Sequence, residues 1–313
     1  MIAADKAKRV VENKGLMFAT VVLNRYPQWL QAGAVGPDYP YLHHMLTSHD
    51  DSDSWADLLH YNNTGEVVRS GAKHLRDRYK TEKDSKEFQR TAAWLFGYAS
   101  HVVLDASIHP VVRAIVGEYA ENKTDHRVCE MYMDSYIFKE TYGIELDNSE
   151  WVDYLRHLTD KKTGKMDNAV VSLWRKMLQE VYPKEYAKNP PQVEGWHEEY
   201  VKKLDGADID VGFFRHIAGK EGLVYVPSTK IPAKERETYI VNAEIPEKNK
   251  FNEKTQAYSK IFDFGVGNIV TIWEQLNTAI VGTGDTLIAS LPNWNLDTGT
   301  TDKEGKGDAT LWV

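Results

Sequence analysis

Apolar residues recur at three- and four-residue intervals along most of the chain, and runs of alternating polarity are few. Over 3–32, Val10, Val11, Leu16, Val21, Val22 and Leu30 form one apolar stripe and predict a single helix. The stretch 33–54, GAVGPDYPYLHHMLTSHDDSDS, interrupts that period with glycines, two prolines and an acidic, histidine-rich end, and reads as an ordered loop. The period resumes over 62–80 and again over 85–121, where Ser85 is placed to cap a long helix and Pro110 is expected to bend or end it. Further helices are predicted over 125–142, 148–160, 167–187 and 252–282. Between the last two, 221–249 carries alternating β-branched residues and three prolines, the signature of an extended excursion with a short hairpin. The Asn/Asp/Gly/Thr-rich tail from 292 reads as loop, and no internal repeat is present.

The predicted fold class is therefore all-α, a multi-helix bundle with a small extended or β excursion around 221–249. Residues 1–145 are expected to form the helical core that carries the chemistry. Residues 146–313 are expected to pack on it as a C-terminal helical extension, or to be continuous with it.

Composition narrows this picture only at its edges. With 42% hydrophobic residues and nine Trp, the chain is one that folds. A net charge of −8 speaks against a broad nucleic-acid footprint, which needs a basic face. Cys129 is the single cysteine, so no intrachain disulfide can form. The most apolar late stretch, 264–291, is broken by Glu274, Asp285 and several glycines, so no transmembrane helix is expected there. Residues 1–15 are charged where the apolar region of a signal peptide would begin. Localisation stays open between the cytoplasm and export with a removed leader.

The histidines change the picture more. Eight of the eleven lie at or before residue 126. In FGYASHVVLDASIHPVV (96–112), His101, Asp105 and His109 follow at four-residue steps within an otherwise apolar helix. Residues i and i+4 share a helix face, so His101 and Asp105 can chelate one ion. His109 lies about 12 Å of rise from His101. Zinc–nitrogen bonds are about 2 Å long, so one ion shared by both histidines is disfavoured. In HRVCE, His126 and Glu130 repeat the i, i+4 spacing on the next helix and partner His109. Asp38, in the Pro-flanked turn GPDYP, and His60, in WADLLHYNNTG, can complete the first site. The layout is then Asp38, His60, His101 and Asp105 for one ion, and His109, His126 and Glu130 for another. Such a nitrogen and oxygen donor set without thiolate suits zinc in a hydrolytic site. A lone histidine on an apolar face is more often a hydrogen-bonded core residue than a ligand. Several uncompensated ionisable groups in one buried wall are costly, however, and a shared metal removes that cost. His74 sits among Lys73, Arg76 and Arg78 and reads as solvated. His49 reads as a loop residue, and His157, His197 and His216 as surface or packing residues.

GAVGPDYPY, WADLLHYNNTG, AWLFGYASHVVLDASIHPVV and DHRVCE together resemble, in order, the signature of the bacterial zinc-dependent phospholipase C family, over roughly residues 7–140. That family has an all-helical catalytic domain shared in fold with the S1/P1-type nucleases. The resemblance implies that Asp38, His60, His101 and Asp105 surround one zinc and that His109, His126 and Glu130 hold a second. In the family a third zinc is bridged by the aspartate matching Asp105 and bound by an N-terminal histidine and the terminal residue itself. Here no histidine precedes His43. Three readings stay open: His43 or His44 substitutes, two metals suffice, or that ligand segment is not in this sequence. The calcium-dependent β-sandwich of clostridial members is not expected, because 252–282 has helical periodicity.

Phosphodiester hydrolysis suits such a cluster, with metals neutralising the phosphate and lowering the pKa of a bound water. Asp38 is the candidate general base or water orienter, beside its alternative role as a plain ligand. Tyr39, Tyr41, Trp55 and Tyr61 are candidates for a headgroup pocket, where a quaternary ammonium would favour aromatic faces. The expected activity is phospholipase C cleavage of a glycerophospholipid to diacylglycerol and phosphorylated headgroup. Partners are a phospholipid headgroup or a soluble phosphodiester, with peripheral membrane contact, and the acidic balance favours zwitterionic over anionic surfaces. The rivals are an S1/P1-like nuclease or nucleotidase, an HD-type phosphohydrolase suggested by SHDDSD, and a non-catalytic metal-stabilised lipid-binding helical protein.

Overall fold

The computed structural model describes residues 1–44, 51–146, 158–160, 162–206, 226–282, 291–302 and 304–313. Its first thirty residues form three helices where the apolar stripe predicts one: α1 (Ile2–Asn13), α2 (Met17–Arg25) and α3 (Pro27–Gly33). Gly15 takes a left-handed φ of +71° behind α1, and Pro27 opens α3 at a position where its missing N–H has no intrahelical partner to lose. Each break resets the helical phase. Val10 and Val21 consequently face solvent, whereas Val11, Val22 and Leu30 are buried.

Part of the predicted loop is helical. Gly36–Asp38 is one 3-10 turn, continued by the short α4 (Tyr39–His44) and, later, by α5 (Asp51–Tyr61). The side chains of His43 and His44, and all of His49, lie outside the described residues, as do His157 and His216. α6 (Thr64–Glu82) follows close to its predicted bounds.

α7 (Lys86–Val116) is the axis of the molecule, packed by α3, α6 and the later helices. Ser85 Oγ accepts the Phe88 N–H at 3.1 Å, as its position in the sequence predicts. Pro110 does not end the helix, which runs on to Val116 and stops at Gly117, φ +92°. A proline ring removes only the bond to the carbonyl four residues back, here Ala106, and the buried turns on either side hold the helix through it. By length and composition α7 could cross a membrane, but most of its apolar window is buried within the protein, as in a core helix.

Beyond α8 (Lys123–Tyr142), the predicted 148–160 helix falls almost wholly outside the described residues. The 167–187 helix is split at Tyr182 into α9 (Asn168–Val181) and α10 (Pro183–Lys188), because Pro183 can start a helix but not continue one. α11 (Val193–Gly206) precedes the predicted excursion. Described from residue 226, that excursion contains 3-10, α and π turns up to Val241 and one strand, β1 (Ala243–Glu244). β1 pairs antiparallel with β2 (Thr255–Gln256), which lies outside the predicted span. α12 (Tyr258–Val281) then packs on α7, α1 and α6.

Among the described residues, one cluster of buried apolar side chains extends from Ala3 to Trp312 and includes Trp174, Trp196, Trp273, Trp294 and Trp312 from the second half of the chain. Its tightest seam is the crossing of α3 and α7. A Cβ added to Gly33 would lie 2.0 Å from the Trp94 carbonyl oxygen, and one added to Gly97 would lie 2.0 Å from that of Leu30. Only two facing glycines let the backbones come this close, and that closeness brings the end of α3 to His101.

Candidate metal centre

α7 presents His101, Asp105 and His109 on successive turns, so its apolar flanks face the core while one polar edge serves two donor groups. In the first group, Asp38 from the 3-10 turn and His60 from the last turn of α5 meet His101. His60 Nε2 is 3.2 Å from Asp38 Oδ1, and His101 Nε2 is 3.8 Å from the same oxygen. The two imidazoles stand edge to face, 5.6 Å apart. Asp105 Oδ2 approaches His101 Nε2 at 3.0 Å. In the second group, Glu130 Oε1 lies 3.0 Å from His109 Nε2 and 3.3 Å from His126 Nε2. In each of the triads Asp38–His60–His101 and His109–His126–Glu130, potential ligand atoms lie within 4.8 Å of one another.

Three of the imidazoles are fixed by the backbone. Nδ1 of His60 faces the Ala56 carbonyl at 2.8 Å, that of His101 the Ala34 carbonyl at 3.1 Å, and that of His109 the Leu296 carbonyl at 3.1 Å. A carbonyl oxygen can only accept, so each Nδ1 carries the proton and each neutral ring offers its Nε2 lone pair to the centre. Metal-bound histidines are oriented in this way. Nδ1 of His126 is buried and has no hydrogen-bond partner among the described residues. The donor set therefore fits zinc: neutral imidazoles, carboxylates, no thiolate, and an outer shell already in place.

Without a bound cation, the carboxylates instead favour a second proton on the Nε2 of His101 and His109. Burial opposes the imidazolium form of His101, but Asp105 and Asp38 outweigh it and raise the pKa to about 9. Burial likewise opposes charge on His109, and Asp105, Glu130 and Asp297 raise it to about 10. Burial disfavours the Glu130 carboxylate, yet hydrogen bonds from His109 and His126 hold it down at about 2. Asp105 is also depressed, against its own burial, by His101, His109 and His60, which places it electrostatically between the two groups. A divalent cation would replace these protons at the same carboxylates.

The aromatic candidates separate. Tyr41 and Tyr61 are half-buried beside His60, with ring centroids at 4.9 and 6.3 Å. Tyr39 and Trp55 do not line the centre. Both are fully buried in an aromatic cluster with Trp174, Trp196 and Tyr182, where the Tyr39 hydroxyl meets His197 Nδ1 at 3.4 Å and Trp55 Nε1 donates to the Asn189 carbonyl at 2.9 Å. Consecutive helical residues point about 100° apart, so neighbours of a ligand in sequence need not be neighbours of the metal.

Two residues near the centre escape the sequence reading. Asp134 continues the i, i+4 series after His126 and Glu130, and acts with Asp105 and Asp38 on the buried α-amino group of Met1. Burial lowers the pKa of that amino group, and Asp134, Asp105, Asp38 and Asp5 oppose the shift. Asp297 belongs to the tail that reads only as loop: its Oδ1 lies 3.7 Å from His109 Nδ1, and its Oδ2 accepts the Tyr61 hydroxyl at 3.0 Å. The Asp134 spacing was legible; nothing local marks Asp297.

An all-helical core whose central helix serves two His/carboxylate groups defines a metal-dependent hydrolase of the phosphodiesterase class. Residues 2–184 match the family described as zinc dependent phospholipase C, more than half of the chain, and the protein belongs to that family. It is thus a phospholipase C-type hydrolase that uses zinc. No curated protein and no solved structure matches the chain.

Proposed function

We propose that the protein hydrolyses a zwitterionic glycerophospholipid such as phosphatidylcholine, releasing diacylglycerol and the phosphorylated headgroup, with one zinc held in each donor group. The observation that carries this reading is the pair of triads, Asp38–His60–His101 and His109–His126–Glu130, gathered from four elements around His101 and His109, two turns apart on one buried helix. Asp105 completes the first set and lies between the two. Bound zinc would neutralise the phosphate and make a coordinated water acidic enough to react near neutral pH.

The chain's own residues supply the rest. The Asp38 side chain is 43% exposed, the most open of the ligand candidates, and lies with Oδ1 3.2 Å from His60 Nε2. It accepts the proton of the attacking water, as general base, while the oxygen forms a bond to phosphorus and the P–O bond to the glycerol breaks. The diacylglycerol oxygen leaves with a proton, so one water is consumed per bond cleaved. Tyr41 and Tyr61 flank the first group and offer aromatic faces to a quaternary ammonium headgroup. The net charge of −8 favours zwitterionic over anionic lipid.

Zinc analysis of the purified protein, followed by assays on phosphatidylcholine vesicles and on single-stranded DNA, tests this reading. About two zinc ions per chain and release of phosphocholine are expected. Asp38→Asn is expected to lower kcat about 10²–10⁴-fold and to weaken zinc in the first donor group, with the zinc of the second group retained. Cleavage of DNA alone would move the protein to the nuclease branch of the fold, and fewer than one zinc per chain would remove the enzymatic reading.

A further inference from the structure

The C-terminal tail closes on the metal centre from outside the 2–184 family match. The Leu296 N–H donates to the His60 carbonyl at 2.8 Å, and the Leu296 carbonyl accepts His109 Nδ1–H at 3.1 Å. One residue thus ties a ligand of the first group to a ligand of the second. The next residue, Asp297, bridges Tyr61, beside the first group, and His109 of the second through its side chain. Its carboxylate accepts the Tyr61 hydroxyl and lies 3.7 Å from the His109 ring. Tyr61 in turn is hydrogen-bonded to Tyr41, which packs 4.9 Å from the His60 ring.

The tail is held by its backbone rather than by one flexible side chain. The Asp297 N–H donates to Asn295 Oδ1 at 3.1 Å, and Asn295 and Thr300 form a bridge. Trp294 Nε1 donates to Thr310 Oγ1 and Trp312 Nε1 to the Ser107 carbonyl of α7, each at 2.8 Å, and both indoles are fully buried. Gly299, at φ +65°, presses on α7 where Pro110 has removed the donor to Ala106: an added Cβ would lie 2.5 Å from the Ala106 carbonyl oxygen. The Asp297 carboxylate, 24% exposed, is therefore set in place on an anchored turn.

We infer that Asp297 is a positioning residue of this hydrolase, fixing the His109 ring of the second donor group and, through Tyr61 and Tyr41, the headgroup wall beside the first. The inference rests on reading both donor groups as zinc sites. Asp297 touches no ligand atom aimed at the metal. The His109 Nδ1–H is given to the Leu296 carbonyl, and the Asp297 carboxylate lies 3.7 Å from that nitrogen. It acts on the far side of the ring through its charge, which favours the polarised imidazole and strengthens its donor nitrogen. It couples the His109 ring to the tyrosine pair that would meet the substrate.

Asp297→Asn keeps the size of the side chain and removes its charge. Wild type, Asp297→Asn, Asp297→Glu and Tyr61→Phe would be compared by zinc content after dialysis, zinc affinity by chelator competition, the visible spectrum of the cobalt-substituted protein, and thermal unfolding in EDTA. In Asp297→Asn one of the two zinc affinities is expected to fall about 10–100-fold, with the other unchanged. The cobalt spectrum should shift and the metal-free Tm should stay at its wild-type value. Asp297→Glu should recover part of the affinity, and Tyr61→Phe should raise KM for phosphatidylcholine more than it lowers zinc affinity. Two wild-type affinities and an unchanged cobalt spectrum in Asp297→Asn would overturn the inference. So would an equal loss at both sites accompanied by a lower metal-free Tm, which is the signature of a merely structural role. A wild type with less than one zinc per chain would overturn the metal-site reading itself, and this inference with it.

Discussion

His197 shows how much one buried group can reveal about the packing beneath the centre. It lies on α11, almost wholly shielded from solvent, with Nδ1 near the Tyr39 hydroxyl and Nε2 2.9 Å from Thr159 Oγ1. Burial lowers its pKa to about 4, so the folded protein holds it neutral. An unfolded histidine titrates near 6.5. Between those values the unfolded chain binds a proton that the native chain does not, so stability rises with pH across this window. Equivalently, the contribution is fully present above about 6.5 and is lost as pH falls toward 4, by about 3 kcal/mol in all. Urea unfolding in EDTA across this range should show wild type losing stability faster than His197→Gln, by up to about 1.4 kcal/mol per pH unit. Equal slopes for the two proteins would mean that His197 reaches water or a proton donor in the folded state. The same residue explains why Tyr39 is not in a headgroup pocket. It stacks on His197 at 5.9 Å, on the opposite side of α4 from Tyr41, two residues and about 200° further round.

At the scale of elements, the centre depends on how closely α3 meets α7. Ala34 follows the last residue of α3, and its carbonyl fixes the His101 ring. Gly97→Ala would put a methyl group 2.0 Å from the Leu30 carbonyl oxygen, forcing the two helices apart. Overpacking of this kind costs about 1–3 kcal/mol. The variant should unfold at lower temperature in EDTA and bind zinc more weakly at the first group, read by chelator competition. Retention of both properties would show that the seam has slack. The elements also explain what could be read in advance. His101, Asp105 and His109, like His126 and Glu130, were legible because a helix turns i, i+4 spacing into adjacency, and Ser85 marked where α7 begins. The split of the first predicted helix was less so, since Gly15 and Pro27 interrupt a stripe that stays apolar in sequence. Asp38 and His60 enter as candidates from a Pro-flanked turn and a helix edge, without a spacing to tie them to His101, because a 3-10 turn and a helix end carry no common period. The ordered resemblance then supports them. Asp297 was illegible: its contacts with Tyr61 and His109 exist only after the tail has crossed α7.

For the whole molecule, the family match ends at residue 184, but the hydrophobic cluster does not. α12 lies against α7, α1 and α6, with Trp273 Nε1 donating to the Phe96 carbonyl at 2.8 Å within the apolar stretch that leads to His101. Trp273, Trp294 and Trp312 are all fully buried. Burying three indoles removes roughly 600 Å² from water, an upper bound of about 15 kcal/mol at 25 cal/mol per Å². That equals the upper end of the net stability of a typical domain, about 5–15 kcal/mol. We therefore propose that the matched region and the remainder fold as one cooperative unit. A fragment ending at residue 190 would expose the α12-facing side of α7 and would also lack the Leu296 carbonyl that orients His109. It should be molten or aggregated, with weak near-ultraviolet dichroism and no stoichiometric zinc. The full chain in EDTA should unfold in a single transition, superimposable by tryptophan fluorescence and far-ultraviolet dichroism. A soluble, cooperatively folded 1–190 fragment binding two zinc ions would refute this, and would make the tail an accessory to the site rather than part of its frame.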